Sequence, residues 1–293
     1  MSIFQSTEGK AVMVQWHERF RERIGRPVRS RQLDTRFGAT HALECGPDDA
    51  PPIVFLHGAL ASSAHVMAEV VDLADRFRVI GLDVIGQSPM SAEVRPEVKG
   101  NDYGHWVVDC LDALDLPDTR LAGVSWGGFV ACRAAMVAPE RISKLSLVVP
   151  AGIVNGISMD AVMAMVHMSL YRAFPSQPRL ERFLKYILTT PDAEWTGHLG
   201  DAFRHFRMDF RPPPLLGLND LDGFKSPVQL IAAERDHGFP CKKMLARAQM
   251  VFPNLVSTEI LAGNRHSPAT DPESRKRLTG IIAEFMGQAA QVE

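Results

Sequence analysis

The 293 residues are 46% hydrophobic and 23% charged, with a formal net charge of −2. That balance gives enough apolar material for one large core and too little surplus positive charge for nucleic acid or an anionic membrane surface to be the main partner. The expected partner is a small molecule.

Cysteine usage and the first residues point the same way. Cys45, Cys110, Cys132 and Cys241 are far apart with no Cys-x-x-Cys, as buried reduced thiols would be. The opening residues lack a basic start and an apolar run long enough for export, and no later segment is long enough to span a bilayer, so a cytoplasmic protein is expected. Neither a metal nor a cofactor is called for. Arginines gather between 19 and 36, but Glu18, Glu22 and Asp34 alternate with them, which reads as a solvated face.

Residues 9–24 carry helical periodicity and stop at Gly25. Segments 28–37 and 40–45 then read as a hairpin turning near Gly38. From Pro52 onward, short apolar runs alternate with helical ones, at 53–57, 78–83, 119–124, 142–149, 228–233 and 255–261. This rhythm predicts parallel strands joined by crossover helices.

Between about 151 and 216 the alternation stops. The segment is helical and rich in methionine, with Met159, Met163, Met165 and Met168, followed by helical stretches at 180–188 and 194–208. An insertion after the sixth strand accounts for it, and Pro212–Pro213–Pro214 marks the return to the sheet. The expected architecture is therefore α/β, a mostly parallel central sheet flanked by helices with a helical cap. Residues 1–150 would form the first part of the core with an N-terminal helix, 151–216 the cap, and 217–293 the second part of the core.

The chemistry is concentrated at Gly123-Val124-Ser125-Trp126-Gly127, where a strand pattern passes directly into a helix pattern. A serine at such a sharp turn stands clear of the sheet, and glycines on either side relieve the crowding that the turn creates. The helix beginning at Trp126 also aims free N–H groups at any oxyanion formed there.

Serine is a weak nucleophile until an imidazole takes its proton, and that imidazole needs a carboxylate to fix its tautomer. Asp236 lies just past the strand at 228–233, and His266 follows the last strand, giving the order serine, acid, histidine. Glu234 is the rival acid, closer to the strand. Backbone donors for an oxyanion are expected from Ala59, on the loop after the strand ending at His57, and from Trp126. His57 is expected to hold that loop rather than to act as base.

With these residues in view, the chain resembles α/β-hydrolase fold proteins of the capped, esterase-like kind over about 28–286. The resemblance rests on His57-Gly58, on Asp83-Val84-Ile85-Gly86-Gln87-Ser88, on the turn at Ser125, and on Asp236 and His266. It implies that Ser125 is the nucleophile, His266 the base, Asp236 the orienting acid, and Ala59 with Trp126 the oxyanion hole. The activity implied is hydrolysis of carboxylic esters with small or medium apolar groups through an acyl-enzyme. A carbon–carbon bond hydrolase with the same triad, or a non-catalytic receptor on the same fold, are the alternatives. Leu60, Phe239 and, from the cap, Met159 and Met163 are the expected substrate contacts.

Overall fold

A serine side chain starts the first helix: Ser6 accepts a hydrogen bond from the Gly9 N–H at 3.1 Å and caps α1 (Thr7–Arg23). The computed structural model describes residues 2–156, 158–209 and 211–288. After α1 come β1 (Arg29–Thr35), β2 (Gly38–Cys45), β3 (Pro52–Leu56), α2 (Ser63–Val70) and β4 (Arg78–Leu82). Next are α3 (Asp102–Ala113), β5 (Thr119–Val124), α4 (Trp126–Val137) and β6 (Ile142–Val148). Three helices follow, α5 (Met159–Ala173), α6 (Gln177–Leu184) and α7 (Ala193–His205). The chain then returns through β7 (Val228–Ala233), α8 (Cys241–Val251), β8 (Leu255–Leu261) and α9 (Pro272–Gly287).

The eight strands form one sheet in the order β1-β2-β4-β3-β5-β6-β7-β8. β2 pairs antiparallel with β1 and β4, and every pairing from β4 to β8 is parallel. The expected hairpin entry and parallel body are both present. From β3 the chain winds outward to β4, then crosses to the other side of β3 for β5. The order thus reverses between β3 and β5, and open α/β sheets bind ligands beyond the carboxyl ends of strands at such a point. Two loops leave there, 57–62 and the turn at Ser125.

Apolar residues close both sheet faces. Trp106, Phe129 and Met244 from α3, α4 and α8 pack on one side. Met67 and Phe285 from α2 and α9 pack on the other. A third cluster joins Ile3, Phe4 and Met13 to Leu180, Phe203 and Phe206, and it includes Leu60. The start of the chain is therefore bound to the segment between β6 and β7. Trp16 Nε1–H donates to Asp201 at 2.8 Å, and Arg23 pairs with Asp192 and Glu194 at 2.9 Å each.

Boundaries differ from the sequence expectation by a few residues, with local causes. β6 stops at Val148 because Val149 enters the left-handed region at φ 41°. β3 stops at Leu56 because both nitrogens of the next side chain, His57, are drawn into loop contacts.

Candidate active site

Ser125 has φ 52° and ψ −112° between the end of β5 and the start of α4. A non-glycine residue in that region costs on the order of 1–3 kcal/mol and persists only where its surroundings impose it. Here the backbone is fixed on both sides. The Ser125 N–H donates to Val148 O at 2.9 Å, and its carbonyl accepts from Gly128 N–H at 3.0 Å and Ala151 N–H at 2.9 Å. A Cβ on Gly123 would lie 2.6 Å from the Gly127 carbonyl carbon, and one on Gly127 would lie 2.5 Å from that of Leu56. The flanking glycines let β5, β3 and α4 approach this closely.

Ser125 Oγ and His266 Nε2 are 2.9 Å apart. With its Nδ1–H, His266 donates to Asp236 Oδ2 at 2.7 Å, which leaves Nε2 free to accept the serine proton. Asp236 Oδ1 accepts from the N–H groups of Gly238 and Phe239, both at 2.9 Å. Burial would raise the Asp236 carboxyl, but the charge and hydrogen bond of His266, with those two N–H groups, hold it below the usual range. Burial would likewise lower His266, and Asp236 outweighs it, so His266 lies above the ordinary histidine value. Glu234, the rival acid, is exposed and accepts from Gly263 N–H at 2.7 Å instead.

The two residues expected to supply oxyanion donors, Ala59 and Trp126, both line the same cavity. Trp126 opens α4, where the first N–H groups have no partner within the helix. Ala59 sits on the loop after β3, and both residues line the cavity that holds Ser125 and His266. His57 shapes that loop: its Nδ1–H donates to Gly58 O at 2.7 Å and its Nε2 accepts from Val84 N–H at 2.8 Å. With both nitrogens engaged and the ring buried, it is a loop-holding histidine. Asp83 fixes the neighbouring turn, accepting from Ser63 N–H, Ser63 Oγ–H, Ser88 Oγ–H and His41 Nδ1–H within 2.5–2.9 Å.

Leu60 follows Ala59 with φ 62°, a second strained position. Its carbonyl accepts from His198 Nε2–H at 2.8 Å. His198 lies on α7, fully buried, and burial lowers it to about 4, so the ring is neutral. The sequence reading missed this residue, because only the packing of α7 over the loop brings 60 and 198 together.

The cavity measures about 360 Å3, and its wall is mainly apolar. Leu60 lines it as expected, but three other expected contacts do not. Met159 is 75% exposed on the outer side of α5, and Met163 also lies outside the wall. Of the four methionines it is Met168 that lines the cavity, since α5 turns only part of its apolar stripe inward. Phe239 packs edge-on against the His266 ring at 5.2 Å and supports the imidazole from behind. His65 and Glu69 of α2 are lining residues that sequence reasoning did not single out.

Among the described residues, His17, His41 and Asp83 bring ligand-type atoms within 4.8 Å of one another. Both Asp83 oxygens and His41 Nδ1 are already occupied by the hydrogen bonds above, which makes this a structural network rather than a metal centre.

Comparison with known proteins agrees with the geometry. The alpha/beta hydrolase fold family model matches residues 51–185. The chain is 35% identical over 127 residues to the uncharacterized carboxylesterase nap of Bacillus subtilis, covering 43% of this chain and 42% of that protein. It is 35% identical over 119 residues to the carboxylesterase YbfK of the same organism, covering 41% and 40%. The chain thus spans about two fifths of the length of these curated relatives. The crystal structure of naproxen esterase (carboxylesterase NP) from Bacillus subtilis superposes with a TM-score of 0.79 at 21% identity, covering 95% of this chain and 99% of that one. Among the described residues no helix is long and apolar enough to cross a membrane. Sheet order and the structural matches give the chain the α/β-hydrolase fold, and over about two fifths of its length it is similar to carboxylesterases.

Proposed function

We propose that this protein is a serine hydrolase that cleaves carboxylic esters of small or medium apolar substrates through an acyl-enzyme. The observation that carries the reading is the series Ser125 Oγ, His266, Asp236, linked at 2.9 and 2.7 Å and opening onto a mainly apolar cavity. Ser125 attacks the ester carbonyl carbon while His266 Nε2 takes its proton, and the N–H groups of Ala59 and Trp126 receive the negative oxygen. As the carbon–oxygen bond breaks, His266 returns the proton to the departing alcohol. Water then attacks the acyl-enzyme with His266 again as base, releasing the acid and restoring Ser125. A serine suits acyl transfer because an acyl ester can be hydrolysed, whereas the alkyl ether it would form from a halide or epoxide could not readily be.

In the same reading, 151–216 is a cap: α5–α7 interrupt the sheet after β6, and Met168 and Leu199 from them contribute to the cavity wall. Its position over the strand ends gives the cap the choice of substrate, and a small ester is the partner. The test is Ser125→Ala, assayed on a p-nitrophenyl ester together with labelling by a serine-directed phosphonate. Turnover should fall at least about a thousandfold, and the label should be found on the Ser125 peptide of the wild type only. Activity near wild type in a folded Ser125→Ala protein refutes the mechanism.

A further inference from the structure

The cavity wall around Ser125 is apolar over most of its extent, yet α2 turns two polar side chains toward it. His65 and Glu69 both line it, and a spacing of four places them on one face of the helix. Their neighbours include Phe183, Trp195, Leu199 and Ile282. A carboxyl group set into such a wall is costly unless a partner meets it. Arg275 and Arg23 bring positive charge toward Glu69 and the Trp195 indole hydrogen-bonds to it, but Arg23 is already paired with Asp192 and Glu194, and burial outweighs all three.

Burial raises Glu69 to about 8, against the opposing pull of Arg275, Arg23 and the Trp195 indole and with Asp192 adding to the rise. At neutral pH the group is then mostly the protonated acid, which both donates and accepts hydrogen bonds. His65 is 1% exposed, and burial lowers it well below the ordinary value, so it is neutral. Its Nδ1 is 2.8 Å from Ser62 Oγ, a hydroxyl shared with His17 Nδ1 at 3.1 Å. One hydroxyl proton serves one of the two imidazoles, so the other must donate. Among the described residues His65 Nε2 has no partner.

We propose that Glu69, with His65 one turn before it, is a specificity determinant that selects esters carrying an uncharged hydroxyl group on their apolar portion. This rests on the ester-hydrolase reading above. A hydroxyl both donates and accepts, which matches a carboxylic acid beside an imidazole nitrogen. An ammonium group loses far more hydration on entering and forces Glu69 to release a proton, whereas a hydroxyl loses less and leaves Glu69 protonated.

The experiment compares pairs of p-nitrophenyl esters that differ only in a terminal hydroxyl against a terminal methyl, with acyl chains of six to ten carbons. In the wild type one chain length should favour the hydroxyl ester by roughly tenfold in kcat/KM. Glu69→Gln, which still donates and accepts, should keep that preference, and Glu69→Leu should reverse it. A second arm needs no turnover: methyl ω-hydroxyalkanoates should raise the melting temperature of Ser125→Ala more than methyl alkanoates do, and not in Ser125→Ala/Glu69→Leu. Equal ratios at every length, or a preference that survives Glu69→Leu, overturns the proposal. Absence of turnover on every ester with the binding difference intact refutes the ester-hydrolase reading and leaves the subsite standing.

Discussion

Replacing Gly127 by alanine tests whether the close approach of β3 and α4 assembles the oxyanion site. The added Cβ would fall 2.5 Å from the Leu56 carbonyl carbon and 2.8 Å from His57 O, and it would overlap Leu56 O. These are buried backbone atoms with no side-chain freedom to give way. Ordinary carbon–carbon contact is about 3.5 Å, so the two segments must separate by roughly 1 Å. The separation acts on the chemistry directly, because Leu56 leads into Ala59 while Gly127 follows Trp126. Misplacing one oxyanion donor costs about a hundredfold or more in kcat, and the overpacking costs about 1–3 kcal/mol of stability. The control is Gly280→Ala on the exposed face of α9, where the new Cβ meets nothing within 4 Å. It should leave turnover unchanged and stabilise by about 0.5–1 kcal/mol, as removing a helix glycine does. Turnover of a p-nitrophenyl ester and thermal melting on the three proteins decide the matter. A folded Gly127→Ala protein within about threefold of wild-type kcat/KM would refute the reasoning.

Because His266 must be neutral to act as base and Asp236 holds it above the ordinary value, kcat/KM should fall with acid through a midpoint above about 6.5. Asp236→Asn should lower the plateau and move that midpoint to lower pH; a pH–rate profile with an unmoved or higher midpoint contradicts the assignment. Stability has a separate acid limb: His198 is lowered to about 4, so the unfolded chain binds its proton first and stability erodes as pH falls from about 6.5 toward 4. Up to about 3 kcal/mol is lost through this group, with His17, His57 and His65 acting in the same direction and Glu69 and His266, both raised, acting against it; a wild-type urea midpoint that falls between pH 7 and 5 no more steeply than that of His198→Gln would disprove it. Finally, Met168→Gln should alter the preferred acyl length while Met159→Gln should not, measured as kcat/KM over a p-nitrophenyl ester series, since of these two Met168 lines the cavity.

The residues legible in the sequence are those whose constraint is local. Gly123, Ser125 and Gly127 read as a strained turn because the strand-to-helix junction alone demands them, and the observed φ of 52° is that demand. Asp236 and His266 could be placed because each follows directly on a strand end. The methionine stripe failed for the complementary reason. Helical spacing groups Met159, Met163 and Met165 but does not say which side meets the core, and α5 leaves Met159 and Met165 75% and 55% exposed. Phe239 went astray because Asp236 Oδ1 binds the Phe239 N–H and turns that loop so that the ring backs His266. Glu69 reads in sequence as an ordinary charged helix residue, and nothing local reveals that α2 faces a cavity closed by residues more than a hundred positions later.

The same distinction governs how the segment between β6 and β7 bears on the proposed chemistry. It contributes side chains to the cavity, but its most direct connection is to the backbone. His198 holds the carbonyl of Leu60, the residue after Ala59, in a left-handed conformation that a leucine does not adopt unaided. α7 is itself tied to α1 through the Trp16–Asp201 and Arg23–Asp192 contacts, and Leu60 belongs to the apolar cluster that unites them. A displacement of α7 would therefore release Leu60 and, with it, the N–H of Ala59. The geometry of the proposed oxyanion donors at the strand ends and the docking of a helix inserted well over a hundred residues later are one structural variable, so on this proposal a substitution in α7 acts on turnover without touching the substrate.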